Sequence, residues 1–356
     1  MSVFKIKQGI REKYIDAHKF YDEGKYEKAV ILFRELKDKT RFNPNRLDAL
    51  YYYGLLISDS DREQAQKVWE ELLSTPSLSY ERQAQVYFNL AKIDYDRGMT
   101  DRAREKFKEI IDKYPNNPAT VIKSLYYIGE IERKKGIENY NNAIPWYEKI
   151  LESGSGDETV ALAKARLGEM NMALLFSPFN TKISQRYTVH PGDSLSSIAT
   201  RFRTSVELLK ESNRLTSNFI RPNDQLKVPT TVFSVKISKK TNTLILLADG
   251  KFFKEYLVGT GKYNKTPVGK FKITNKLVEP VWYKPEGGVI PYGDPDNLLG
   301  TRWMGINFPG YGIHGTWEED SVGKQSSAGC IRLRNNEVEE LFKILPVGTE
   351  VVITDN

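Results

Sequence analysis

Apolar positions in the first half of the chain recur with the 3.6-residue period of a helix, and they do so in a repeating unit. A small residue followed four positions later by an aromatic appears as Ala29/Phe33, Ala65/Trp69, Ala103/Phe107 and Ala143/Tyr147, at intervals of 36, 38 and 40 residues. Before each lies a second helical pattern with its own aromatics and small residue, around Phe20, Tyr51–Gly54, Tyr87–Ala91 and Tyr126–Gly129. Self-similarity at that period predicts stacked helix pairs over residues 1–178, with Ala161–Phe176 as a capping helix. Small residues let the paired helices approach, and the aromatics fill the groove between them.

Ser177-Pro178 breaks the pattern. Over 185–230 a strand, two short helices (Leu195, Ile198, Ala199 and Phe202, then Val206, Leu208 and Leu209) and a second strand are predicted. From Phe233 the period falls to 2, and Asp249-Gly250 between two apolar runs reads as a hairpin. Further strands are expected at 269–274, 304–307, 312–314, 330–333 and 350–354, with one helix over 336–345. The fold class is therefore multidomain: an all-α helical-repeat solenoid (1–178), a small βααβ module (185–230) and a mostly-β, sandwich- or barrel-like domain (232–356).

With 40% hydrophobic and 12% aromatic residues among 356, the chain can fill several cores. Its apolar runs, such as Leu244–Ala248, are too short to span a bilayer, so no membrane span is predicted. The first residues mix Lys5 and Lys7 with Phe4 and Ile6 and lack the uninterrupted apolar stretch of a secretory signal, so a trimmed form with an added Met is expected if the substrate lies outside the cytoplasmic membrane. Residues 1–180 hold 29 Lys and Arg against 28 Asp and Glu, so charge selects no partner for the repeats. From Val235 to Lys276 ten Lys face one Asp and one Glu, which suits either an anionic partner or protected strand edges. No nucleic-acid motif accompanies them. Three scattered His and one Cys make no standard zinc cluster, and no cofactor is expected.

The single cysteine, Cys330, follows His314 by sixteen positions. A lone Cys with a His brought near it by the fold is the sequence form of a thiolate nucleophile and its base, although a lone Cys is also often only a small buried apolar residue. On the catalytic reading His314 lowers the thiol pKa and carries protons. The backbone around Ala328-Gly329-Cys330 offers N–H donors to an oxyanion. Ser327 or Gly315 orients the imidazole, and Arg332 offers a forked cation to a substrate carboxylate. Trp303, Tyr311 and Trp317 flank the pair as substrate-binding candidates. The segment 279–303, rich in Pro, Gly and aromatics, is a candidate lid over Cys330.

Three resemblances sharpen these expectations. His314-Gly315-Thr316, then Ser327-Ala328-Gly329-Cys330-Ile331-Arg332-Leu333, with Thr266–Phe271 and Met304–Phe308 upstream, resembles the L,D-transpeptidase catalytic domain family over about residues 233–354. Ala328 stands where many members carry His. That resemblance implies a cysteine enzyme of the bacterial cell envelope that remodels peptidoglycan stem peptides through a thioacyl intermediate. It leaves open cross-linking, L,D-carboxypeptidation, protein anchoring to the wall, or a non-catalytic scaffold. Tyr187–Ala199 with Asn223–Pro229 is similar to a LysM domain, which implies glycan binding along Gly192, Asp193, Ser194 and Asn218–Ile220. Asp193 with Ser194 could equally cap the following helix. The repeats resemble degenerate tetratricopeptide repeats, which implies either a surface for cell-wall or division proteins or a rigid spacer.

Overall fold

The computed structural model describes residues 3–39, 43–154, 158–284 and 287–355. They form two compact units: the chain to Lys135 with Pro145–Val160, and Gly136–Ile144 with the chain from Ala161 onward.

The first unit is built from helix pairs: Val3–Asp22 (α1) with Tyr26–Asp38 (α2), Arg46–Ile57 (α3) with Arg62–Leu73 (α4), and Tyr80–Asp96 (α5) with Thr100–Lys113 (α6). Pro118–Arg133 (α7) and Tyr140–Glu152 (α8) follow. All four small and aromatic pairs found in the sequence are at most 1% exposed. Their logic is close approach: a Cβ on Gly54 would meet Trp69 at 2.4 Å, and one on Gly129 would meet Tyr147 at 2.7 Å. Asp61, Ser79 and Asn117 cap α4, α5 and α7 by accepting backbone N–H groups of the first turn.

In the second unit Glu158–Leu175 (α9) leads into Ser184–Thr188 (β1), Leu195–Arg201 (α10), Val206–Ser212 (α11) and Gln225–Pro229 (β2), with β1 antiparallel to β2. This module is docked rather than strung on a linker. Consecutive leucines on α11 point about 100° apart, so Leu209 enters the module's own core while Leu208 enters the core of the C-terminal domain beside Met172 and Leu175 of α9. From Ala161 on, the helix expected to cap the repeats belongs to this second unit and contributes Met172 and Leu175 to the C-terminal core. Lys227 of β2, fully buried, donates to the carbonyls of Leu174 (2.5 Å) and Ser177 (2.8 Å) at the end of α9.

The C-terminal domain adds Phe233–Ser238 (β3), Thr243–Ala248 (β4), Lys251–Leu257 (β5), Thr260–Gly261 (β6), Gly269–Val278 (β7), Trp282–Tyr283 (β8) and Val289–Ile290 (β9). Then come Arg302–Ile306 (β10), Gly312–His314 (β11), Gln325–Ser327 (β12), Ile331–Arg332 (β13), Asn335–Ile344 (α12) and Glu350–Thr354 (β14). Eight strands form one mixed sheet in the order β13-β11-β10-β7-β14-β3-β4-β5, with β6/β12 and β8/β9 as small separate pairs. Val338, Leu341 and Phe342 of α12 share one core with Met304, Ile313 and Ile331 of the sheet.

Candidate active site

β11 and β13 run parallel, with Ile313 opposite Ile331 and His314 opposite Arg332. Side chains alternate along strands, so the two isoleucines, both 0% exposed, enter the core and their neighbours face the other way. Cys330 immediately precedes β13. It therefore lies on the same face as His314, on the adjacent strand, one two-residue step away. The short Ile331-Arg332 strand that sets this register is what brings together two residues sixteen positions apart.

His314 is 3% exposed and its ring is held from two sides. Nδ1 lies 2.6 Å from the Gly315 carbonyl oxygen, an arrangement in which Nδ1–H donates and Nε2 keeps its lone pair. Trp303, the cross-strand neighbour of His314, stacks on it with centroids 5.7 Å apart at 25°. Gly315 is itself fixed, since its N–H donates to Arg302 O and a Cβ there would meet Asn335 Oδ1 at 2.2 Å. Asn335, unnoticed in the sequence, also accepts from Thr301 N at 3.0 Å. Burial pushes the imidazole pKa down to about 4, with the Arg332 charge adding to the effect.

Cys330 is half-buried, and its thiol donates to Gly310 O at 3.6 Å. Burial pushes the thiol up, against smaller opposing effects of the Gly312 backbone and the Arg332 charge. The sequence suggested a thiol lowered by an imidazolium. In the folded chain both groups are driven toward neutrality, because each is itself desolvated by burial. The resting pair is thiol and neutral imidazole.

The turn before Cys330 is braced from within. Ser327 Oγ accepts from Gly329 N at 3.0 Å and donates to Cys330 O at 2.6 Å, so it contacts the nucleophile's own loop and not the imidazole. Its bond also occupies the Gly329 N–H. Thr266, 1% exposed, accepts from Gly261 N and donates to Gly329 O, both at 2.8 Å. The ring of Tyr311 packs against Gly329.

Arg332 is 8% exposed and paired with Glu318 at 2.9 Å. Its fork is thus partly committed inside the protein, and its Nε has no partner among the described residues. Trp317 is exposed and lies beside Tyr292, ring centroids 6.4 Å apart. The segment 279–303 is shaped by Asn297, 1% exposed, whose Nδ2 donates to the carbonyls of Pro280, Ile290 and Pro291. A buried Asn in a Pro- and Gly-rich loop is the signal that was available for this pin. The segment reaches Trp317 through Tyr292 and the His314–Gly315 turn through Gly300, whose Cβ would meet Gly315 C at 2.4 Å. Among the described residues no three His, Cys, Asp or Glu side chains converge as metal ligands.

In the small module Ser194 is the N-cap of α10, exchanging bonds with Ser197. Asp193 is turned into its own loop, accepting from Tyr187 OH at 2.6 Å and His190 N at 2.8 Å. Gly192, Ser194 and Asn218 are exposed, and Phe219 is 70% exposed beneath Arg221. His18 is packed among Tyr14, Phe33 and Tyr52 and bonded to Asp48.

Comparison with known proteins meets this geometry from outside. The model of the L,D-transpeptidase catalytic domain matches residues 233–353, that of the LysM domain 187–229, and that of the tetratricopeptide repeat 85–117. YqjB of Bacillus subtilis, named for the L,D-transpeptidases, is 47% identical over 128 residues, 34% of this chain and 71% of the relative. YkuD of the same organism, also so named, is 33% identical over 174 residues, 47% of this chain and 97% of the relative. Among solved structures, the catalytic domain of the E. faecium L,D-transpeptidase is 25% identical, covering 34% of this chain and 96% of that one with a TM-score of 0.30. A Mycobacterium smegmatis L,D-transpeptidase is 18% identical, covering 37% and 63%, with a TM-score of 0.31. Since two relatives more than 30% identical are matched over most of their own length, the chain belongs to the L,D-transpeptidases, with a LysM module ahead of its catalytic domain.

Proposed function

We propose that this L,D-transpeptidase works through a thioester on Cys330, with His314 as its base, on peptidoglycan in the cell envelope. The observation that carries the reading is the parallel register that sets Cys330 and His314 on one face with Nδ1 of the imidazole engaged by Gly315. Cys330 Sγ attacks the carbonyl carbon of the L-centre in the third residue of a tetrapeptide stem, and its proton passes to His314 Nε2. Because both groups rest neutral, this transfer accompanies the attack rather than preceding it. Backbone N–H groups of the 328–330 turn other than that of Gly329 meet the oxyanion. The bond to D-alanine then breaks, its nitrogen takes the proton back from the imidazolium, and the acyl group stays on sulfur. An amine from a neighbouring stem attacks the thioester, His314 takes its proton, and the thiol is restored.

Water or a protein amine as acceptor would make the same intermediate serve carboxypeptidation or anchoring. On this reading Trp303 and Trp317 flank the acceptor path, and the described part of the 279–303 segment borders it through Tyr292 and Gly300. The LysM module holds the glycan strand, and the helical repeats offer a surface to wall or division proteins. The test is intact-protein mass spectrometry after incubation with a carbapenem and, separately, with disaccharide-tetrapeptide. An adduct on the wild type but not on Cys330→Ala, with dimeric muropeptide, is expected. D-alanine without dimer would indicate hydrolysis. Neither adduct nor D-alanine would overturn the reading in favour of a peptidoglycan-binding scaffold.

A further inference from the structure

A groove of about 630 Å³ runs between α11 of the LysM module and α12 of the catalytic domain. It is lined by Phe176 and Phe342, over whose rings Lys343 and Arg302 lie, and by two further cations, Lys210 and Arg214. Two of these cations are neutralised in place, Lys343 by Glu211 at 3.0 Å and, more loosely, Arg302 by Glu339 at 3.8 Å. The remaining carboxylate, Glu207, lies in the field of Lys276. Lys210 and Arg214 have no side-chain partner among the described residues, and Arg214 is set by a left-handed backbone, φ 55°. The groove thus has spare positive charge beside two cation-covered rings, at a volume suited to a short peptide.

Two of its lining segments connect it to its neighbours. Leu215-Thr216 leads along the chain toward Asn218–Ile220, the stretch expected to line the glycan groove. Arg302, whose guanidinium lies over the Phe342 ring, has a carbonyl that accepts the Gly315 N–H in the turn that orients His314. Leu208 of α11 is embedded in the catalytic core, which docks the two sides of the groove together.

We infer that this groove binds the carboxylate-bearing stem peptides of the glycan strand that the LysM module holds, so that polymeric wall is read by both domains at once. The inference rests on the proposed function for its substrate, and its two ligand contacts are Lys210 and Arg214. Its charge complements stem carboxylates, and its position extends the glycan site toward the catalytic turn.

The experiment compares wild type with Lys210→Gln/Arg214→Asn, Asn being chosen because it tolerates the left-handed backbone. Co-sedimentation with intact sacculi needs no chemistry and is the primary readout. About a tenfold weaker binding is expected for the variant, with stronger salt sensitivity in the wild type. On glycan stripped of its stems the two proteins should bind alike. Equal sedimentation on intact sacculi, or the same deficit on stripped glycan, would overturn the groove assignment whatever the enzyme's activity. A wild type that forms no thioester would overturn the catalytic reading alone and leave sedimentation to decide the groove.

Discussion

Gly329 is pressed so closely against Tyr311 that a methyl group on it would lie 2.4 Å from the ring's Cε1. Its backbone also has φ +142°, which side-chain-bearing residues rarely adopt. Gly329→Ala is therefore expected to displace the Cys330 turn and lower the rate of carbapenem acylation by about a hundredfold or more. Stability should fall by only about 1–3 kcal/mol, measured by urea unfolding. Gly329→Ala/Tyr311→Ala removes the collision but not the backbone demand, so its acylation rate should stay well below that of Tyr311→Ala alone. Full recovery in the double variant would mean that crowding alone fixes this position.

The depressed imidazole predicts a pH dependence with a definite sign. His314 is held near pKa 4 in the fold against an ordinary value of 6.5, so the unfolded chain binds more protons between those limits. Its contribution to stability is complete above about pH 6.5 and is lost as pH falls through about 4. The total is on the order of 3 kcal/mol at most. Urea midpoints of wild type and His314→Gln should diverge as pH rises through that window. The acid limb of acylation should likewise lie near pH 4, and a limb near 6.5 would show that the imidazole is not buried as described.

How much of this was readable beforehand depended on the range of the interaction. The repeats announced themselves because Ala65/Trp69 and its counterparts are local pairs whose spacing survives in sequence, and Gly54 supplied the space they need. Strand Gly312–His314 and the Asp249-Gly250 hairpin were legible for the same reason. The pairing of Arg332 with Glu318, the wedge of Asn335 and the embedding of Leu208 in a foreign core are long-range. No period records them. The direction of the thiol shift was missed because it depends on burial of Cys330 itself beside an uncharged His314, which follows from the fold around the motif.

The Arg332 charge lowers both Cys330 and His314, although burial outweighs it at the thiol. Arg332→Met should then raise the thiol pKa further and move the alkylation profile of Cys330 with iodoacetamide to higher pH, read by mass spectrometry. Glu318→Gln removes the partner that now screens this charge, and should move the profile the opposite way. Profiles that coincide for all three proteins would show that the cation does not act on the thiol.

Lys227 makes the last test, because it joins the LysM module to the end of α9 through buried carbonyls. Its ammonium sits against the Leu174, Leu175 and Ser177 oxygens, the negative end of a helix dipole, yet burial lowers its pKa to about 8 and nearby Arg186 adds to the lowering. Lys227→Met leaves those oxygens without their donor, which should cost about 1–3 kcal/mol at neutral pH. Between pH 8 and the ordinary lysine value of 10.5 the unfolded chain carries the proton and the folded chain sheds it. Wild-type stability from this group therefore increases with pH across that window, and the gap to Lys227→Met should widen. A gap that stays constant from pH 7 to 10, by urea unfolding of both proteins, would place the Lys227 side chain in contact with solvent.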